Sequence, residues 1–270
     1  MRPMNIDTEK LLPRIREIAR EAGQAIMEVY NRDFDVEYKD DKSPLTEADL
    51  ASHRYIEKAL RSLTPDLPIL SEESGVPDYA ERRNWGDYWL VDPLDGTKEF
   101  IKRNGEFTVN IALISNHEPV LGVVNAPARA LEYFGSQTGG AFKAVADAAP
   151  ESISVSTEHT GSARVVGSRS HRGRSLDAYL EKLGDYEILP MGSSLKFCLV
   201  ADGTADIYPR LGPTNEWDTA AAHAVLAAAG GEVVQPDGHP LRYNAKEPLL
   251  NPYFLAIGDT CRNWLSYLRP

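Results

Sequence analysis

The chain has 270 residues, 42% of them hydrophobic and 26% charged, with 40 acids against 29 bases and a net charge of −11. This composition is ordinary for a globular protein long enough to bury one large core or two moderate ones. No stretch nears the roughly 18 consecutive apolar residues of a membrane span, and no Lys/Arg run offers a footprint to a nucleic-acid polymer. Met1–Asp7 lacks the apolar centre of a secretory signal, and Cys198 and Cys261 are too few for a disulfide framework, so a reducing cytoplasm is the expected setting.

Asp7 to Tyr30 carries Leu11, Leu12, Ile15, Ile18, Ala19, Ala22, Ile26 and Val29 at helical spacing, which predicts an amphipathic helix that tolerates Pro13 near its start. Ser43-Pro44-Leu45 reads as a loop, and Thr46 as the cap of a second helix that carries Leu50, Ile56, Ala59 and Leu60 and ends before Pro65. Short strands are expected over Pro68–Leu70 and Tyr88–Val91, an antiparallel pair over Thr108–Ser115 and Val120–Asn125, and a hairpin of Leu131–Phe134 with Ala141–Lys143 around Gly139-Gly140. Residues 144–150 form a weak boundary. Beyond it, strands over Ser152–Val155, Ala163–Gly167, Tyr186–Leu189 and Phe254–Ile257 alternate with helices over Leu176–Leu183, Ser194–Ala201 and Trp217–Ala229. The expectation is a layered α/β (α+β) chain in two halves, 1–146 and 147–270.

The residues that invite chemistry are acids. Asp92-Pro93-Leu94-Asp95-Gly96-Thr97 follows the apolar run Trp89-Leu90-Val91, so two carboxylates three residues apart sit where Pro93 and Gly96 favour a turn. Carboxylates with a main-chain carbonyl make a hard oxygen ligand set that suits Mg²⁺ better than zinc. If the substrate is an anion, so acidic a chain needs bound cations to reverse the local field. Each acid also has an ordinary structural explanation. The Asp pair can cap a turn, Glu72-Glu73 can simply be solvated, Asp218 suits the start of the Ala-rich helix, and Asp49 completes a capping box with Thr46. Cys198 reads as a small buried hydrophobe, Trp85, Trp89, Trp217 and Trp264 as packing residues, and Asp40-Asp41-Lys42 as a solvated loop.

Taken together, Ser43-Pro44-Leu45-Thr46-Glu47-Ala48-Asp49, Ser71-Glu72-Glu73-Ser74, Trp89 through Thr97, and Glu216-Trp217-Asp218-Thr219-Ala220-Ala221 occur in an order and spacing that resembles the inositol monophosphatase superfamily over nearly the whole chain. Thr97-Lys98-Glu99-Phe100 through Asn110, Gly192-Ser193-Ser194-Leu195-Lys196-Phe197-Cys198 and Ala205 through Arg210 are similar to its bacterial bisphosphate nucleotidase branch; inositol monophosphatases typically carry Thr-Asn-Phe after the Asp-Gly-Thr. The resemblance implies a layered αβαβα sandwich, with most metal ligands in the first half and the nucleotide site and Asp218 in the second. It implies Mg²⁺-dependent removal of the 3′-phosphate of adenosine 3′,5′-bisphosphate, with 3′-phosphoadenylyl sulfate as a second substrate, and sensitivity to Li⁺. The implied partner is a small nucleotide, with no nucleic-acid polymer and no membrane span; a monomer is favoured.

Carried over residue by residue, the resemblance assigns Glu72, Asp92 and the Leu94 carbonyl to one metal, and Asp92, Asp95 and Asp218 to a second, with two to three Mg²⁺ per site. Glu72 and Thr97 orient the attacking water, and Asp49 accepts a hydrogen bond from Thr97. The Gly96 and Thr97 backbone amides meet the phosphate, and Ser193, Lys196 and Arg210 meet the nucleotide; His171, after Gly167-Ser168-Arg169-Ser170, reads either as packing on the adenine or touching phosphate, or as a surface-loop histidine. The alternatives are a phosphatase of the same superfamily acting on inositol monophosphate or fructose 1,6-bisphosphate, and a regulator that binds metal or nucleotide without turnover. The complete acid set argues against the regulator.

Overall fold

The computed structural model describes residues 6–38, 44–157, 161–167 and 173–268. Helix α1 (Thr8–Tyr30) begins where the Asp7 carboxylate accepts the Lys10 N–H at 3.2 Å, and it buries Leu12, Ile15, Ala19, Ala22, Ile26 and Val29. Strands β1 (Val36–Tyr38) and β2 (Pro44–Thr46) pair antiparallel, so Pro44-Leu45 is strand and not the expected loop. A proline is tolerated there because it is the first residue of a two-stranded ribbon. Helix α2 (Glu47–Leu63) opens on the predicted capping box, with the Ala48 N–H donating to Thr46 Oγ1 at 3.2 Å and the Thr46 N–H donating to Asp49 at 2.8 Å.

Strands β3 (Ile69–Ser71), β4 (Asp87–Asp95), β5 (Thr108–Ser115), β6 (Glu118–Ala126), β7 (Leu131–Ser136), β8 (Gly140–Val145) and β9 (Glu151–Ile153) form one seven-stranded sheet in that order, parallel at β3–β4 and antiparallel thereafter. The strand expected over Ser152–Val155 is β9, joined to this sheet across residues 144–150. Two short helices flank β4, the unpredicted α3 (Tyr79–Arg82) before it and α4 (Thr97–Ile101) after it. The remaining elements are β10 (Ala163–Gly167), α5 (Arg174–Leu183), β11 (Tyr186–Pro190), α6 (Leu195–Ala201), β12 (Ile207–Arg210), α7 (Ala220–Ala228), β13 (Glu232–Val234) and β14 (Phe254–Ile257). Their strands form a five-stranded sheet in the order β11-β10-β12-β14-β13. Helix α7 is shorter than the helix read over Trp217–Ala229, because residues 216–219 form a turn.

Three apolar clusters set the layers. One lies between α1–α2 and one face of the large sheet, where Trp89, Val91, Val109, Ile111 and Val123 point. A second takes the opposite residues, Tyr88, Leu90, Ala112, Ile114 and Val124, against α6, α7 and the small sheet. The third packs α5 and Trp264 on the far face of the small sheet. The period-two alternation of each strand therefore feeds two cores at once, and the result is the expected αβαβα sandwich. The central helix layer lies very close to the large sheet: a Cβ at Gly122 would sit 2.1 Å from the Ala221 carbonyl oxygen and 2.8 Å from Ala224 Cβ. Only glycine permits that approach. Among the described residues, no helix is long and apolar enough to cross a membrane. Cys198 is fully buried, Trp89 and Trp264 are core residues, and Trp85 and Trp217 pack against the core. Asp40-Asp41-Lys42 lies outside the described residues.

Candidate active site

The parallel pair β3–β4 brings the first two acids together. Leu70 and Leu90 are register partners and both face the central helix layer. Two residues on, the alternation puts Glu72 and Asp92 on that same side, and the Glu72 N–H continues the ladder to the Val91 carbonyl at 3.1 Å. Asp218 arrives from the central layer itself, in the turn before α7, where its carboxylate accepts the Asn215 N–H at 2.9 Å. Oxygens of Glu72, Asp92 and Asp218 lie within 4.8 Å of one another.

Asp92 is buried and accepts the Leu94 N–H at 3.0 Å, while Ser52 Oγ holds the adjacent Pro93 carbonyl at 2.8 Å. A register shift between Asp92 and Asp95 breaks the β4–β5 ladder and re-aims Asp95, whose carboxylate accepts the Ser194 N–H at 2.6 Å. Asp95 thus stands next to the trio without belonging to it. Gly96, at φ 92°, turns the chain into α4; a Cβ there would come within 3.2 Å of the Glu106 carbonyl. Thr97, the first residue of α4, donates its hydroxyl to Asp49 Oδ1 at 3.3 Å. The other Asp49 oxygen takes both the N–H and the hydroxyl of Thr46, at 2.8 and 2.6 Å. The capping box and the Thr97 contact therefore share one carboxylate.

Burial, together with Glu72, Asp95 and Asp218, pushes Asp92 well above the usual carboxylate range. Burial raises Asp95 too, against the pull of Lys196. Burial and Asp95 push Asp218 up to about 8, with Arg210 opposing. Burial also raises Asp49, and its two bonds from Thr46 work the other way. A set of crowded oxygen ligands, mutually repelling and short of counter-charge, fits a hard divalent cation.

This crowding has a consequence for metal-free protein. A carboxylate whose folded pKa exceeds its unfolded value keeps protons that the unfolded chain has already released. Stability then falls as pH rises from the ordinary value of 3.8 through the folded value, about 8 for Asp218. Scanning calorimetry in EDTA is expected to give a lower Tm at pH 8 than at pH 5, and Mg²⁺ to narrow the gap. A Tm that is flat across this range would contradict the geometry of the trio.

A cavity of about 750 Å³ opens beside the acids, lined by Asp95, Gly96 and Asp218 together with Lys196, Tyr208 and Arg210. Ser193, at φ 48°, also lines it and meets Thr108 Oγ1 at 3.0 Å. Lys196 Nζ lies 2.6 Å from the Ser193 carbonyl and 5.6 Å from the centre of the Tyr208 ring. Arg210 donates to the Pro213 carbonyl, and its Nε is buried without a partner. His171 lies outside the described residues. Lys98, on α4, and Lys102, the residue just after it, also line the cavity; both fall in the Thr97–Asn110 stretch that carries the likeness to the nucleotidase branch, but no contact was assigned to them there. Their helical spacing after Thr97 was the available signal.

The inositol monophosphatase family profile matches residues 7–261. The chain is 51% identical over 246 residues to the Escherichia coli K12 protein named 3′(2′),5′-bisphosphate nucleotidase CysQ, covering 90% of this chain and 98% of that one. It is 38% identical over 259 residues to the Haemophilus influenzae protein of the same name, covering 96% of each. The crystal structure of CysQ from Bacteroides thetaiotaomicron, described as a bacterial member of the inositol monophosphatase family, superposes with a TM-score of 0.81 at 43% identity, over 93% of this chain and 98% of that one.

Proposed function

The chain belongs to the inositol monophosphatase family, and on that premise we propose that it is a Mg²⁺-dependent 3′(2′),5′-bisphosphate nucleotidase, removing the 3′-phosphate of adenosine 3′,5′-bisphosphate to give AMP and phosphate. 3′-Phosphoadenylyl sulfate is its second substrate, and its setting is cytoplasmic sulfate assimilation and nucleotide recycling. The observation that carries this reading is the meeting of Glu72, Asp92 and Asp218 beside a cavity whose wall bears Lys196 and Arg210. Acids suit a metal-bound reacting phosphate, and cations suit a second phosphate that stays.

Glu72, Asp92 and the Leu94 carbonyl would hold one Mg²⁺, and Asp92, Asp95 and Asp218 a second. Bound there, the metal supplies charge neutralisation on the phosphate and a water of lowered pKa. The protein's own part is alignment and proton handling, which matter because phosphate monoesters hydrolyse extremely slowly unaided. Thr97 donates its hydroxyl hydrogen to Asp49, so its oxygen is free to accept a hydrogen bond from the attacking water; as the water's proton passes to Thr97, the Thr97 proton moves on to the Asp49 carboxylate. Glu72 orients the same water. The Gly96 and Thr97 amides meet the phosphate oxygens at the start of α4, and Ser193 meets the nucleotide. Lys196 and Arg210 take the 5′-phosphate, Arg210 with a fork suited to two bonds.

Arg210→Ala is expected to lower kcat/KM for adenosine 3′,5′-bisphosphate by about ten- to a hundredfold, mainly through KM, since a charge-assisted bond contributes roughly 1.5–3 kcal/mol. Arg210 also eases the ionisation of Asp218, so absolute rates mix two effects. The ratio of kcat/KM for the bisphosphate to that for adenosine 3′-monophosphate isolates the 5′-phosphate contact. An unchanged ratio removes Arg210 from substrate recognition.

The whole reading is tested by phosphate release from adenosine 3′,5′-bisphosphate, 3′-phosphoadenylyl sulfate, inositol 1-phosphate and fructose 1,6-bisphosphate, each with Mg²⁺, with EDTA, and with Mg²⁺ plus Li⁺. The nucleotides are expected to turn over with Mg²⁺ alone, and Li⁺ to inhibit. Preference for inositol 1-phosphate, or full activity in EDTA, would overturn it.

A further inference from the structure

Asp218 comes from a turn and not from a regular element, since α7 starts only at Ala220. Three carboxylates crowded together repel, so the turn has to be held in place from behind. It rests on an irregular segment, residues 243–251. The Asn251 N–H donates to the Thr214 carbonyl at 2.7 Å, and its side-chain amide donates to the Asn215 carbonyl at 2.7 Å and to Thr219 Oγ1 at 3.1 Å. The Glu216 N–H donates to the Leu249 carbonyl at 2.9 Å. The Glu216 carboxylate, fully buried, receives Lys246 Nζ at 2.9 Å and the Asn244 N–H at 2.7 Å.

The same segment is tied to the part of the chain that carries Asp92. Arg82 lies in α3, just before β4, and is 2% exposed. Its guanidinium donates to Asn244 Oδ1 and to the carbonyls of Glu247 and Lys246, and Asn244 Nδ2 returns a bond to the Arg82 carbonyl at 2.6 Å. A continuous path of buried bonds thus runs from α3 through Asn244 and Glu216 to the Asp218 turn.

We propose that Arg82, Asn244, Lys246, Glu216 and Asn251 are positioning residues for the metal centre: they set where Asp218 stands relative to Glu72 and Asp92, and through that the affinity for a divalent cation. The inference rests on the proposed reading that Glu72 and Asp92 hold one divalent cation and that Asp218, with Asp92 and Asp95, holds a second beside it. Groups that orient metal ligands from behind typically matter ten- to a hundredfold in metal affinity. The path also joins the two sources of ligands, so a fault in it displaces one acid relative to the other two.

The test uses the full chain stripped of metal and titrated with Mg²⁺ by calorimetry. Lys246→Met is expected to weaken Mg²⁺ binding by about tenfold and to raise the half-activating Mg²⁺ concentration in parallel, with kcat at saturating Mg²⁺ nearly unchanged. Lys246→Arg, which keeps the cation, should recover most of the affinity. Asn251→Ala removes the amide that fixes Asn215 without changing charge; it should move affinity the same way, and it carries the test if Lys246→Met does not fold. The control is Lys143→Met, which breaks an ion pair of similar burial with Asp202 at 2.7 Å. It should lower Tm and leave Mg²⁺ affinity alone. Unaltered Mg²⁺ affinity in Lys246→Met, or an equal loss in Lys143→Met, overturns the inference. A wild-type chain that binds no Mg²⁺ overturns the metal reading beneath it.

Discussion

Asp92→Asn is expected to lower kcat/KM for adenosine 3′,5′-bisphosphate by about a thousandfold or more, with metal-free protein at least as stable as the wild type. The ionisation of Asp92 is opposed by burial and by Glu72, Asp95 and Asp218 together, and it is buried where water cannot replace a lost ligand. Asparagine keeps the size and an oxygen for the Leu94 N–H, yet removes the charge shared by both proposed ion positions. Electrostatic stabilisation by a metal is worth several kcal/mol, and each 1.36 kcal/mol is about tenfold in rate. Without metal, the same change removes a repelling, poorly solvated carboxylate, so Tm in EDTA at pH 8 should hold or rise. Steady-state kinetics and calorimetry on one preparation give both readouts. Retention of a tenth of the activity would take Asp92 out of the centre. A collapse in EDTA stability would make the loss a folding effect.

Thr97→Ala is expected to cut kcat by about a hundred- to a thousandfold at saturating Mg²⁺, within the range for losing a positioned proton acceptor. Mg²⁺ affinity should hardly move, because Thr97 touches Asp49 and none of the three clustered acids. Thr97→Ser keeps the hydroxyl and should retain most of the rate. The split between kcat and metal affinity is the discriminating measurement. Weakened Mg²⁺ binding in Thr97→Ala, or a serine variant as slow as the alanine one, would show that Thr97 shapes the turn at Gly96 and leaves water orientation to other groups.

What the sequence made legible follows from the range of the forces involved. Apolar spacing marked α1, and the Thr46–Asp49 box marked the start of α2, because both are settled within a turn or two of helix. The β1–β2 ribbon was hidden by Pro44, which reads locally as a loop. The Ala-rich run after Trp217 reads as helix throughout, yet its first residues are held as a turn by Leu249, Asn251 and Asn244, none of them near in the chain. The site shows the same division. Glu72 and Asp92 were visible as acids after apolar runs, but their meeting depends on the Leu70–Leu90 register, a pairing across the sheet. Their grouping with Asp218 came from the family resemblance and not from periodicity. The bonds that reach from Arg82 to Glu216 left no local trace.

The seam at Gly122 reaches further than packing. Helix α7 comes from the second half of the sequence, yet it lies against strands β5, β6 and β7 of the first. Neither stretch can close its core alone: the large sheet without α7 would expose the face of Leu90, Ala112 and Val124, and α7 without the sheet would expose its alanines. Melting should accordingly be one cooperative event with equal calorimetric and van't Hoff enthalpies. During synthesis, residues up to Ile153 can pair their strands but cannot shield them until α7 has left the ribosome. For that interval the nascent sheet depends on its own edges, or on a chaperone, to stay out of aggregates.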